Sequence, residues 1–125
     1  MSSPAKTILI IDDDARNIFA LSAVLKAKGF TTIPALTAKE GLTILKQNND
    51  VGIVLLDMMM PEMDGYEAVG VIRNNEKLSR LPVIAVTAQA MVGDREKTLQ
   101  AGATAYIAKP VDVDELLKLL AKYLN

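Results

Sequence analysis

A chain of 125 residues can enclose one hydrophobic core but not two, so a single domain is expected over residues 1–125, with its core from about 6 to 124. Its 14 basic and 15 acidic side chains are mixed along the sequence and leave a net charge of −1, which gives no electrostatic ground for a nucleic-acid or anionic-membrane partner. With no histidine and no cysteine, the chain excludes a Ser-His triad, a thiolate nucleophile and a zinc site of soft ligands.

In chain order, the first apolar run is "TILII" at 7–11, followed by Asp12, Asp13 and Asp14. A helix is expected over Ala15 to Lys28, where Ile18, Leu21 and Leu25 share a face, Asp14 serves as N-cap and Gly29 supplies a stop. A weaker strand, "FTTIPA", occupies 30–35, and Thr37 with Glu40 three residues on has the spacing of a capping box that opens a second helix. "VGIVLL" at 51–56 runs into Asp57, and Asp64 with Glu67 opens a third helix. "RNNEKLSR" at 73–80 reads as polar loop.

"PVIAV" at 82–86 ends in Thr87; "AMVGDREKTLQA" at 90–101 is the least amphipathic helical segment, weakened by Gly93. "AYIA" at 105–108 ends in Lys109, and Asp112 with Glu115 opens the last helix at about 113–124. Continuous rather than alternating apolar runs predict strands covered on both faces, and their alternation with helices predicts a parallel sheet. The expected fold is α/β: a doubly wound five-stranded parallel sheet of order 2-1-3-4-5, flavodoxin-like and of (βα)5 form. No apolar run is long enough to span a membrane, and "MSSPAK" has no apolar signal core, so a cytoplasmic protein without a membrane partner is expected.

In a parallel sheet the carboxyl ends of the strands share one edge, where ligands bind. Four runs here end in polar groups: Asp12 and Asp13, Asp57, Thr87, and Lys109. Neighbouring strands about 4.8 Å apart would crowd Asp12, Asp13 and Asp57 together at the rim, so either one carboxyl takes a proton or a cation neutralises them. An all-oxygen donor set points to a hard ion such as Mg²⁺. Thr87 and Lys109 can then offer hydrogen bonds to an incoming anion. Singly, each residue has an ordinary explanation as a cap, a turn former or a solvated side chain; the joint placement at four strand ends is the informative signal.

These residues carry a resemblance. "IIDDD", "LLDMMMPEMDG", "VTA" and "KPVD", in this order and spacing, resemble the receiver domain of two-component response regulators from about Lys6 to Leu124. The resemblance implies that Asp57 is the phosphoacceptor, that Asp13 with Asp12 beside it and the backbone carbonyl of Met59 join Asp57 around Mg²⁺, and that Thr87 and Lys109 hold the phosphoryl group. It implies a cis Lys109–Pro110 bond and makes Tyr106 part of a switch with Thr87. It implies a protein that catalyses its own phosphorylation and dephosphorylation, with the side chains of Met59 and Gln89 flanking the approach of water to Asp57. Because the chain has no histidine, the phosphohistidine donor must be another protein, a histidine kinase or a histidine phosphotransfer protein.

No DNA-binding or catalytic output segment follows Leu124, so the effect is expected to pass by contact to a downstream protein, through the face formed by the helix at 90–101, strand 5 and the helix at 113–124. "DDDARNIFAL" and "AMVGDREK" resemble receivers of hybrid kinases more than freestanding ones. Three other readings use the same sheet edge. A haloacid-dehalogenase-like Mg²⁺ phosphohydrolase shares an Asp nucleophile with Thr and Lys, but needs an acidic residue two positions after it, where Met59 stands. A flavodoxin-like FMN binder needs a Ser/Thr/Gly-rich phosphate loop where this chain has three carboxylates. The third is an interaction module that never becomes phosphorylated, against which the complete set of Asp, Thr and Lys argues.

Overall fold

The computed structural model describes residues 7–48, 50–60, 63–88 and 93–124. In chain order the elements are β1 (Thr7–Ile11), α1 (Ala15–Ala27), β2 (Thr31–Ala35), α2 (Ala38–Gln47), β3 (Val51–Asp57), α3 (Gly65–Asn74), β4 (Val83–Thr87), α4 (Asp94–Gln100), β5 (Ala105–Ala108) and α5 (Val113–Tyr123). All strand pairs are parallel and the sheet order is β2-β1-β3-β4-β5, as the alternation of apolar runs and helices predicts.

The unbroken apolar runs have a simple cause. Successive strand residues face opposite sides of the sheet, and here both sides are roofed by helices. Leu9, Ile11, Val54, Leu56, Val83 and Ala85 pack into one core with Leu42 and Leu45 of α2 and Val69 and Ile72 of α3. Ile8, Ile10, Ile53, Leu55, Ile84 and Val86 pack into the other with Ile18 and Leu25 of α1 and Leu116 and Leu120 of α5. Each of the four side chains from Ile8 to Ile11 is at most 1% exposed, and burial of such a side chain is worth about 1.5–3 kcal/mol.

The helix starts follow the capping residues read from sequence. Thr37 Oγ1 accepts from the Glu40 N–H at 3.0 Å, Asp64 Oδ1 from the Glu67 N–H at 3.0 Å, and Asp112 Oδ1 from the Glu115 N–H at 3.1 Å. Asp14 caps α1, its Oδ1 accepting from the Arg16 N–H at 2.9 Å; that bond holds the Asp14 carboxyl below the usual carboxylate range.

Two expectations need correction. α4 is shorter than 90–101: its described helix runs Asp94–Gln100 behind Gly93, which has φ +94° and no side chain to cap the helix, while residues 90–92 lie outside the described residues. The start of "RNNEKLSR" is not loop. Arg73 and Asn74 form the last turn of α3, and the Arg73 guanidinium reaches back over the amino-terminal edge of the sheet. Its Nε donates to Gly102 O at 2.8 Å, Nη1 to Leu81 O at 2.7 Å and Ser79 O at 3.3 Å, and Nη2 to Thr104 Oγ1 at 3.2 Å. The segments leading into β4 and β5 are thereby fastened to α3. Among the described residues, no helix is long and apolar enough to cross a membrane.

Candidate functional site

Every strand of the central trio delivers its last residues to the carboxyl edge of the sheet. Register pairs Ile11 with Leu56 and Asp57 with Val86, so Asp12 and Asp57 stand on adjacent strands while Thr87 closes β4 beside Ala108 of β5. The Lys109 N–H donates to Thr87 O at 2.8 Å, tying those two strand ends together. The Lys109–Pro110 peptide bond is cis, as the resemblance implies.

The sequence places Asp57 at the rim, and its backbone does end β3 there, but the side chain is not solvated. Asp57 and Asp12 are each 4% exposed, Thr87 is 5% exposed, and Asp13 is open to solvent. One oxygen from each of Asp12, Asp13 and Asp57 lies within 4.8 Å of the others. Lys109 Nζ sits 3.5 Å from Asp12 Oδ2 and 3.6 Å from Asp57 Oδ2. The remaining oxygens are met by backbone: the Asp14 N–H donates to Asp12 Oδ1 at 2.9 Å, and the Met59 N–H donates to Asp57 Oδ1 at 3.0 Å.

Burial pushes the Asp57 carboxyl above the ordinary carboxylate range. The Met59 N–H and the Lys109 ammonium pull it back, while Asp12 and Asp13 push it further up. Among the described residues, the Lys109 ammonium faces two of these three clustered carboxylates, and ionising all three concentrates negative charge at this edge. An oxygen-only donor set with that charge suits a hard divalent cation of the Mg²⁺ type.

The loop after β3 is shaped to hold Met59 against Asp57. Met58 is 1% exposed, its N–H donates to Val86 O at 3.0 Å, and its carbonyl accepts from the Gly65 N–H at 3.2 Å. A Cβ on Gly65 would come within 2.6 Å of Met58 Cα and would collide with the Met58 sulfur, so only glycine lets α3 begin this close to the site.

All of the sequence-predicted site residues that are described come together at this edge except Tyr106. Tyr106 is half-buried on β5, paired in register with Ala85 and therefore two positions below Thr87. Gln89 lies outside the described residues. Sequence reasoning missed one link from the loop to α4: the Tyr66 hydroxyl, at the first turn of α3, lies 3.4 Å from the Thr98 hydroxyl, and Lys97 Nζ stands 4.8 Å from the Tyr66 ring centroid. Thr98 is 1% exposed, and a buried threonine in a helix as polar as "DREKTLQ" is the signal that could have pointed to it.

The family model for the response regulator receiver domain matches residues 8–121. The polar-differentiation response regulator DivK of Brucella ovis is 34% identical over 120 residues, covering 96% of this chain and 97% of that protein. Among solved structures, a response regulator receiver protein from Pseudomonas putida superposes with a TM-score of 0.89 at 28% identity, covering 97% of this chain and 99% of that one. The receiver domain of the sensor histidine kinase PA1611 from Pseudomonas aeruginosa PAO1, with a magnesium ion coordinated in its active-site cleft, superposes with a TM-score of 0.86 at 33% identity over 95% of this chain and 97% of that one. With the fold, the acidic edge and these likenesses in agreement, the chain belongs to the response regulator receiver domains of two-component signalling.

Proposed function

We propose that the chain, as a single receiver domain, takes a phosphoryl group from a phosphohistidine of another protein onto Asp57 and signals through the resulting change in shape. The observation that carries this reading is the Asp57 carboxylate itself, 4% exposed, with an ammonium at 3.6 Å and two further carboxylates in reach. An Asp57 oxygen forms the new O–P bond as the donor's N–P bond breaks, and the electron pair of that bond stays with the donor's imidazole. Lys109 faces the charge that gathers on the phosphoryl oxygens, and Thr87 offers its hydroxyl to them.

Asp12, Asp13, Asp57 and the carbonyl of Met59 would hold Mg²⁺, which supplies charge neutralisation to the phosphoryl group when bound. Hydrolysis of the product is slow in this reading, because the thioether of Met59 cannot orient water as an amide or carboxylate does. Thr87 turns toward the phosphoryl group, Tyr106 moves into the space vacated, and the α4, β5 and α5 face passes the change to a downstream protein.

The donor is a histidine kinase or a histidine phosphotransfer protein. A mostly apolar groove of about 520 Å³ between α1 and the segment Pro110–Val113 opens beside Asp12 and Lys109, and Phe19 of α1 stands 78% exposed, so an approaching partner has surface to bury there.

Intact mass spectrometry after incubation with Mg²⁺ and acetyl phosphate should show one added phosphate in the wild type and none in Asp57→Asn. Equal uptake by the variant would overturn the assignment. Asp13→Ala should take up phosphate only at much higher Mg²⁺ concentration.

A further inference from the structure

Three successive methionines follow Asp57, and the fold treats them differently. Met58 and Met60 are 1% and 9% exposed and belong to the core beneath α3, whereas Met59 is 50% exposed. Its N–H donates to Asp57 Oδ1 at 3.0 Å, so the most open of the described methionines is anchored to the carboxylate at the centre of the site. The chain has no cysteine, which leaves methionine as its readily oxidised sulfur.

We propose that Met59 is a site of reversible oxidation by peroxide, and that its sulfoxide shortens the life of phosphorylated Asp57. The inference rests on the phosphoacceptor reading above and adds a regulation to it. In the oxidation, a sulfur lone pair attacks one peroxide oxygen, the O–O bond breaks, the S–O bond forms and water leaves; sulfur loses two electrons and the peroxide gains them. Selectivity comes from access, since peroxide must reach the sulfur and the neighbouring Met58 and Met60 are shut inside the core.

The chemical consequence follows from connectivity. The thioether is a weak acceptor, whereas the sulfoxide carries a strong acceptor oxygen on the third side-chain atom beyond Cα, where glutamine carries its amide oxygen. Oxidation therefore converts a side chain that cannot hold a water into one that can, two residues from the group to be hydrolysed. One ordinary hydrogen bond realised in the transition state corresponds to a rate gain of roughly three- to tenfold. Asp57 need not lose its own backbone partner, because the N–H of Met59 is untouched by chemistry at its sulfur.

The test uses the intact chain, first phosphorylated with acetyl phosphate and Mg²⁺ so that the phosphoacceptor reading is settled independently. Peptide mapping after mild hydrogen peroxide should then find the added oxygen on Met59 before Met58, Met60 or Met63. Loss of phosphate from oxidised wild type should be roughly three- to tenfold faster than from untreated protein. Methionine sulfoxide reductase should restore the slow rate. Met59→Leu should lose phosphate at one rate with and without peroxide, whatever its own untreated rate, and Met59→Gln should show the fast rate without it. The proposal is overturned if Met58 or Met60 oxidises first, if Met59→Leu responds to peroxide as wild type does, or if both the oxidised protein and Met59→Gln keep the untreated rate.

Discussion

At the amino-terminal edge of the sheet, Arg73 gives its Nε and both Nη groups to backbone carbonyls and one hydroxyl. At the carboxyl edge, about the length of a strand away, three carboxylates cluster, and the two nearly sealed from water share the Lys109 ammonium. Burial lowers the guanidinium's pKa, as it must for a cation, but arginine remains charged and each of its three nitrogens donates a hydrogen bond. Burial raises the carboxyl of Asp57, and its acidic neighbours add to that push rather than relieve it. The contrast teaches where the fold is held together and where it holds potential for binding. At one edge the charged group is met by acceptors, and at the other like charges crowd together.

The largest effect is expected from breaking the amino-terminal edge. Arg73→Ala leaves Gly102 O and Leu81 O short of a donor, while Thr104 Oγ1 keeps the Val83 N–H, and should lower the unfolding free energy by about 2–3 kcal/mol in urea titrations. Arg73→Lys should recover little of it, since an ammonium cannot reproduce the fork. A loss below about 0.5 kcal/mol, the level of an ordinary surface substitution, would remove the contrast.

Gly102→Ala comes next. Gly102 has φ +118°, a conformation that disfavours a side chain, and a Cβ there would stand 2.9 Å from Arg73 Cγ. Strain at such a backbone position costs about 1–2 kcal/mol, and denaturation midpoints of the variant should fall accordingly.

At the other edge the sign reverses. Asp57→Asn removes one of the crowded like charges and should stabilise the metal-free protein by on the order of 1 kcal/mol near neutral pH. Because its pKa is raised, the folded state holds the Asp57 proton more tightly than the unfolded chain does. That contribution to stability is complete below the ordinary carboxylate pKa and is lost as pH rises through the raised value. In chelator, the wild type should therefore lose stability over that range relative to Asp57→Asn, which thermal melts across pH would register. A smaller effect is expected from Tyr66→Phe, which deletes the hydroxyl contact to Thr98 but keeps the ring under Lys97. It should cost about 0.5–1 kcal/mol and speed amide exchange in α4 more than in α3.

Most of the fold was legible because the signals were local. Continuous apolar runs such as "TILII" meant strands buried on both faces, and three capping residues marked three helix starts, each found in place. The acidic edge was legible because parallel strands must bring Asp12, Asp13, Asp57, Thr87 and Lys109 to one side. Burial of Asp57 was not, since a strand-end aspartate reads as solvated until its neighbours, the Met59 N–H and the Lys109 ammonium, are in place. Nor was the inward turn of Arg73: an arginine followed by "NNEKLSR" has the composition of a loop, and its four acceptors come from segments 6 to 31 residues away. The short α4 reflects Gly93, whose left-handed backbone starts the helix without a capping side chain.

The crowded carboxyl edge carries an electrostatic cost that a bound cation should relieve. The most direct test is the melting temperature of wild type and Asp57→Asn at neutral pH, in chelator and then in saturating Mg²⁺. The variant should melt higher in chelator and Mg²⁺ should raise the wild type more, closing or reversing the gap, because an ion bound to the folded state stabilises it and the wild type offers one more carboxylate. A variant no more stable than wild type in chelator, with equal gains in Mg²⁺, would contradict it.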